Sequence, residues 1–234
     1  MTVPEDHFSP RLELSFSLAL GSLILFTAVL PLFAGALKDF LPDWLFLLLM
    51  TVPVQLANIA SCLYPLWRYE PCRPVRDALD LKTPSGPGLT LAVVGTSGVY
   101  FLLALVTGVT IYCLQKMGVD PQEQAAVAVF RSGTPLQISI LIPATVILAP
   151  VGEEFCFRYA IHKKLACHLG SFHAVWMTSL LFAAAHLNLQ VFPALFLLGI
   201  WLSMLYRRTG SLLAPMIAHA MFNGMSVLLI WVIA

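Results

Sequence analysis

The chain has 234 residues, 59% of them apolar and only 11% charged, with 13 Lys+Arg against 12 Asp+Glu. A soluble domain carries roughly 25% charged residues, so this composition, with a mean hydropathy of +0.86, excludes a disordered chain, a coiled coil and a disulfide scaffold. The even charge balance argues against a nucleic-acid partner, which needs a basic excess to hold phosphates.

What remains is an all-α polytopic membrane protein, a transmembrane bundle of seven to eight helices. A span needs roughly 20 apolar residues. In chain order, residues 14–37 and 44–67 qualify. The head of the chain differs from a signal peptide, with Glu5, Asp6 and Glu13 against Arg11, although Ala34-Gly35-Ala36 mimics a cleavage site. Residues 68–88 form a polar, proline-rich loop and 89–115 a third span. Residues 116–133 are mixed, with Pro121 and Gly133 as breakers, and suit a short surface helix. Residues 134–150 are apolar and close at Pro150. Segments 152–168, 171–189, 192–206 and 211–233 complete the set. No internal repeat is visible, so the chain reads as a single integral membrane domain. Its N-terminal spans occupy 1–130 and a core with the polar motifs occupies 134–233. The five cysteines show no CxxC pair and read as reduced, mostly buried small apolar residues.

Basic loop residues set orientation. With the N-terminus cytoplasmic, Arg11, Arg68, Arg73, Arg76, Lys82, Arg158, Lys163, Lys164, Arg207 and Arg208 fall inside. Lys38, Lys116 and Arg131 fall outside. The bias predicts a cytoplasmic N-terminus.

Ionisable groups inside spans are costly and need a reason. Glu153-Glu154, His186, His219 and Asn223 stand out. Pro150 and Gly152 predict a helix break, which would put both carboxylates in the first turn of a new helix, at the favourable end of its dipole. Glu154 and Arg158, at i and i+4, can pair on one face. Glu153 points about 100° away from that pair and is left as the free carboxylate, suited to general base work. A turn near Gly170 would bring His186 back to the level of Glu153. His219 and Asn223 share one face of the last helix. His219 would lie roughly 12 Å, and His186 roughly 24 Å, from the Arg207-Arg208 turn, so the groups meet only if tilt or a shortened helix levels them. Phe157 and Phe182 are expected as packing groups or as walls of a pocket for an apolar substrate, and Asn188 as a further lining residue. Gln55 and Asn58 read as interhelical hydrogen-bonding groups. His162, His168 and His173 read as polar-face residues.

The series Glu153-Glu154-x-x-x-Arg158, Phe182-x-x-x-His186 and His219-x-x-x-Asn223 resembles the CPBP (Abi) family of intramembrane proteases, which includes the type II CAAX prenyl endopeptidases. The resemblance covers roughly residues 135–224. It implies a helical membrane fold with a pocket opening toward the cytoplasm. It implies hydrolysis of a peptide bond in a membrane-associated substrate, prenylated or otherwise hydrophobic, with the lipid bilayer as the other partner. Glu153 would activate water together with His186. Glu154 belongs to the same motif, Arg158 supports it, and His219 and Asn223 would stabilise the oxyanion or hold the water. Zinc or another divalent metal on Glu153, His186 and His219 fits the donor types. Metal-free water activation beside a polar oxyanion site fits equally, and the lack of an HExxH sequence tilts the reading that way. A non-catalytic scaffold or immunity protein on the same fold is the alternative. A proton-coupled transporter is disfavoured by the lack of repeats.

Overall fold

The computed structural model describes residues 9–30, 38–120 and 125–233. His7, Ala34-Gly35-Ala36 and Pro121 lie outside the described residues. The described residues are helical throughout their regular structure, with no strand. Helix α1 is Pro10–Val29 and α2 is Asp43–Tyr69. A single turn, α3, is Val75–Ala78, and α4 is Gly86–Lys116. The short α5, Ala125–Ser132, is the helix expected between the third and fourth spans. Helices α6 (135–169) and α7 (171–184) follow as two arms of a hairpin. Helix α8 is Phe192–Thr209 and α9 is Leu213–Ile233.

Among the described residues, five stretches are long and apolar enough to cross a membrane: Pro10–Val29, Asp43–Tyr69, Gly86–Lys116, Pro135–Ala184 and Leu213–Val232. The chain is an integral membrane protein. Segment 192–206, expected as a span, is not one of the five; α8 runs into Arg207 and Arg208.

Local sequence explains the ends. Ser9 caps α1, its hydroxyl accepting from the Leu12 N–H, with Pro10 in the first turn. Thr134 and Gln137 form a reciprocal capping box at the start of α6, and Pro135 follows the cap. Gly170 sits at φ 77° and ψ 160°, where a side chain is not tolerated, and turns α6 into α7.

One expectation is corrected here. Pro150 and Gly152 do not break the helix. Residues 149–154 are α-helical and lie between two π-helical stretches, Pro143–Leu148 and Phe155–His162. Proline removes one backbone N–H and crowds the carbonyl four residues earlier. In a membrane helix, local widening to π geometry absorbs both. Glu153 and Glu154 therefore sit in mid-helix, without a helix N-terminus to favour them, and neighbouring side chains must supply that compensation.

Helix α6 is the axis of the bundle. Every residue from 154 to 162 is buried. Cys156 meets the Ala19 carbonyl of α1, and the Cys62 thiol of α2 meets the Phe155 carbonyl. Gly199 of α8 presses on Ser179 of α7. His162, read as a polar-face residue, is instead buried at 3% exposure, its ring edge-on to Tyr206. Cys72 and Cys113 are exposed, so the cysteines are less uniformly buried than expected.

The two ends of the bundle differ. At one end Arg11 pairs with Glu70 and donates to the Ala78 carbonyl, which also accepts from the Tyr159 hydroxyl. Lys163 lies 2.6 Å from Asp80, whose carbonyl oxygen accepts from the Leu212 N–H, and Lys164 pairs with Glu13. The basic loop residues gather there. The opposite end carries an apolar cluster of Val129, Phe130, Ile138, Leu141 and Val227, of which Phe130 and Val227 line the cavity described below.

These contacts also resolve the level problem. The Gly210 turn meets α6 at Lys163, through Asp80, rather than at Gly170, so α6 runs almost two turns past it. Lys163 is about 15 Å below Glu153, and Leu212 about 10 Å below His219. The carboxylate and the imidazole therefore come level.

Candidate active site

Gln55 lies twelve residues into α2 and fourteen from its end, roughly 18 and 21 Å. It marks the middle of the bundle, and the polar residues converge at that depth. Glu154 is fully buried, and its Oε1 lies 2.9 Å from both Arg158 Nη1 and His219 Nδ1. The Arg158 guanidinium also donates to the Gly199 carbonyl at 3.3 Å and lies over the Phe182 ring at 4.7 Å. An unpaired charge at this depth would be prohibitive, and here each charge meets its opposite, although Glu154 Oε2 and Arg158 Nε are buried without a hydrogen-bond partner. The Glu154–Arg158 pairing expected from their spacing is present.

Glu153 faces the other way. Its Oε1 accepts from Gln55 Nε2 at 3.3 Å, and its Oε2 lies 3.7 Å from His219 Nε2. That Oε2 is buried and has no hydrogen-bond partner. His219 thus stands between the two glutamates. Its Nδ1–H is held by Glu154, which fixes the ring and turns Nε2 toward Glu153.

His186 follows the end of α7. Its Nδ1 lies 2.8 Å from the Phe182 carbonyl. A carbonyl only accepts, so Nδ1 carries the proton and Nε2 is the free face. Asn223 donates to the Thr145 carbonyl at 2.8 Å. Glu153, His186 and Asn223 all line one cavity of about 920 Å³, together with Phe157, Gln55 and Gln190. His219 sits behind Glu153 and is 3% exposed.

Two expected pocket residues are placed differently. Phe182 is fully buried and does not line the cavity. Its ring meets Phe157 at 5.2 Å, His186 at 5.0 Å and His219 at 5.6 Å. It is the hub on which both imidazoles rest, because the long α6–α7 hairpin turns it inward. Asn188 also lies outside the cavity lining. Its Oδ1 accepts from the Gln190 and Val191 N–H groups and shapes the entrance to α8. Phe157 does line the cavity.

Residues 135–225, which span α6 to α9, match the family described as Rce1-like, type II CAAX prenyl endopeptidase. Over these residues the chain is similar to the core of that family. A curated relative, the membrane-embedded CAAX protease MroQ of Staphylococcus aureus (strain USA300), is 27% identical over 161 residues, covering 66% of this chain and 63% of the relative. The match thus takes in less than two thirds of that relative's length. No solved structure matches.

Within the matched residues, the three motifs meet around one end of the cavity. The cavity also draws on helices outside the matched region. Its far end, lined by Leu47, Phe130, Arg131 and Ile230, lies away from the basic residues gathered around Arg11 and Lys163. The expectation of a cytoplasmic basic end and that of a cytoplasmic pocket mouth therefore pull apart. Gln55, Asn58 and Ser22, which the motifs do not contain, join the site through hydrogen bonds. The signal of Gln55 and Asn58 in the sequence is two amides at i, i+3 in an apolar span, placing both on one helix face.

Among the described residues, no three His, Cys, Asp or Glu side chains converge closely enough to hold an ion. Zinc needs ligand atoms at about 2.0–2.2 Å from one point. Glu153 and His219 offer two facing atoms, and His219 Nδ1 is already committed to Glu154. As arranged, Glu153, His186 and His219 do not make a three-ligand site.

Proposed function

We propose that this protein is an intramembrane endopeptidase that hydrolyses a peptide bond in a membrane-associated substrate, prenylated or otherwise hydrophobic. The observation that carries the reading is the buried, unpartnered Glu153 Oε2 at the wall of an apolar cavity, 3.7 Å from His219 Nε2. The CAAX protease core and the relative's name support the same class of chemistry.

The residues divide the work as follows. A water hydrogen-bonded to Glu153 gives its proton to that carboxylate as its oxygen attacks the scissile carbonyl carbon. His186, held by Phe182 through Nδ1, presents the Nε2 lone pair to the same cavity and shares the water. The second N–H of Asn223 opposes the charge that develops on the carbonyl oxygen, while His219, which does not line the cavity, acts from behind Glu153. The C–N bond then breaks and the proton held by Glu153 passes to the leaving amine. Glu154 and Arg158 never meet substrate; they fix His219 and balance charge. Removing one donor at such a site typically costs about 10²–10³ in kcat.

The test uses purified protein in detergent micelles with two fluorescence-quenched peptides, one farnesylated with a CAAX ending and one apolar without a lipid. Cleavage of either by the wild type, lost in Glu153→Gln, supports the reading. No cleavage of either, or full activity in Glu153→Gln, overturns it. A preference between the two probes then defines the substrate class.

A further inference from the structure

The structure assigns a role in the reaction to Gln55 and Asn58, which lie outside the CAAX protease motifs. Four residues from three helices form one hydrogen-bonded line. Ser22 of α1 donates to Asn58 Oδ1 at 2.9 Å. Asn58 Nδ2 donates to Gln55 Oε1 at 3.3 Å. Gln55 Nε2 donates to Glu153 Oε1 at 3.3 Å. Every donor points the same way, toward the carboxylate. Aligned hydrogen bonds of this kind polarise one another in a low dielectric.

Gln55 and Asn58 are 4% and 6% exposed, deep in an apolar span. Generic interhelical bonding would leave their direction and their target free. Here the line ends on the one carboxylate oxygen that faces away from His219, and so leaves Oε2 as the oxygen turned toward the imidazole. The backbone makes room for it. A Cβ on Gly152 would fall 2.4 Å from Gln55 Oε1 and 2.9 Å from Gln55 Cα. That glycine, directly before Glu153, lets α2 approach α6 closely enough for the bond to form.

Gln55 is thus a positioning residue for Glu153, Asn58 and Ser22 extend it, and Gly152 permits it. The arm built from α1 and α2 aims the base rather than merely walling the cavity. This rests on the reading of Glu153 as the group that activates water.

The test takes Gln55→Met, which keeps the shape and removes the donor, with whichever of the two quenched peptides the wild type cleaves. A hydrogen bond to a charged group is worth enough to predict a fall in kcat of about ten- to a hundredfold, with KM within about twofold. Asn58→Leu, one link further back, should lose less, and serves as the second variant if Gln55→Met is poorly folded. Gly152→Ala should lose kcat as well, and Gly152→Ala combined with Gln55→Met should lose no more than the larger single loss, because both act through one bond. Full kcat in Gln55→Met, or a change confined to KM, overturns the assignment.

A structure of Gln55→Met provides an arm that needs no turnover. The Glu153 carboxylate should leave its 3.7 Å contact with His219 while the α6 backbone stays in place. A Glu153 that keeps this position overturns the assignment. If the wild type cleaves neither peptide, the proteolytic reading fails, and this structural arm alone decides the relay.

Discussion

His219 places Nδ1 2.9 Å from Glu154 Oε1, and this single contact decides which way the imidazole faces. The other nitrogen is thereby aimed at Glu153. The two adjacent glutamates thus have different partners because successive helix positions differ by about 100°. Glu154→Gln should leave an acceptor for Nδ1–H but lose the charge that holds Arg158 and the ring together. Loss of such an orienting partner typically costs about 10–100-fold in activity. We expect kcat to fall in that range with KM little changed, measured on detergent-solubilised protein. Wild-type kcat in Glu154→Gln would show that the ring needs no such anchor.

Glu153→Gln separates chemistry from folding. Its amide can still accept from Gln55 and fill the same space, but it cannot take a proton from water. Turnover should fall by about 10²–10⁴, while the amount of inserted, monodisperse protein stays at the wild-type level. A scaffold on the same fold would keep its cellular phenotype in this variant.

Arg158→Ala acts on the other glutamate. It strips a fully buried carboxylate of its cation and removes the guanidinium from above Phe182. Breaking a buried pair costs about 3–5 kcal/mol, a large share of the stability of any domain. The expected outcome is a marked loss of folded protein, read by thermal unfolding in detergent, that exceeds the loss of turnover per folded molecule. A stable Arg158→Ala protein with no activity would move Arg158 from a supporting to a direct role.

Much of the site was legible because polar residues are rare here and each needs a reason. The Glu154–Arg158 pair follows from i, i+4 spacing alone. The return of His186 to the level of Glu153 follows from nearly equal counts on either side of Gly170. The unbroken α6 was not legible. Pro150 and Gly152 are breakers in water, yet here π-helical stretches on both sides carry the helix through. The place of Phe182 was also hidden, since an aromatic beside a histidine motif looks the same as a pocket wall or as a hub. Which partners Gln55 and Asn58 find depends on α2 lying against Gly152, a close approach between residues about a hundred apart in the chain. The level of His219 depended on Asp80, whose contacts with Lys163 and Leu212 set where the last turn docks.

Membrane sidedness gives the last prediction. The basic residues around Arg11, Lys82, Lys163 and Arg207 share one end of the bundle, and basic loops are retained in the cytoplasm. Cys72 is exposed in the loop at that end, and Met117, 75% exposed, follows α4 at the other. In a background with the remaining cysteines replaced, a membrane-impermeant maleimide added to intact cells should spare Cys72 and label Met117→Cys. In inverted vesicles the pattern should reverse. The cavity extends toward the Met117 end, past Leu47 and Phe130, so the expected labelling would place its far end on the non-cytoplasmic side. The opposite labelling would mean that the basic end faces outward, against the charge rule, and that the cavity faces the cytoplasm as the family resemblance implies.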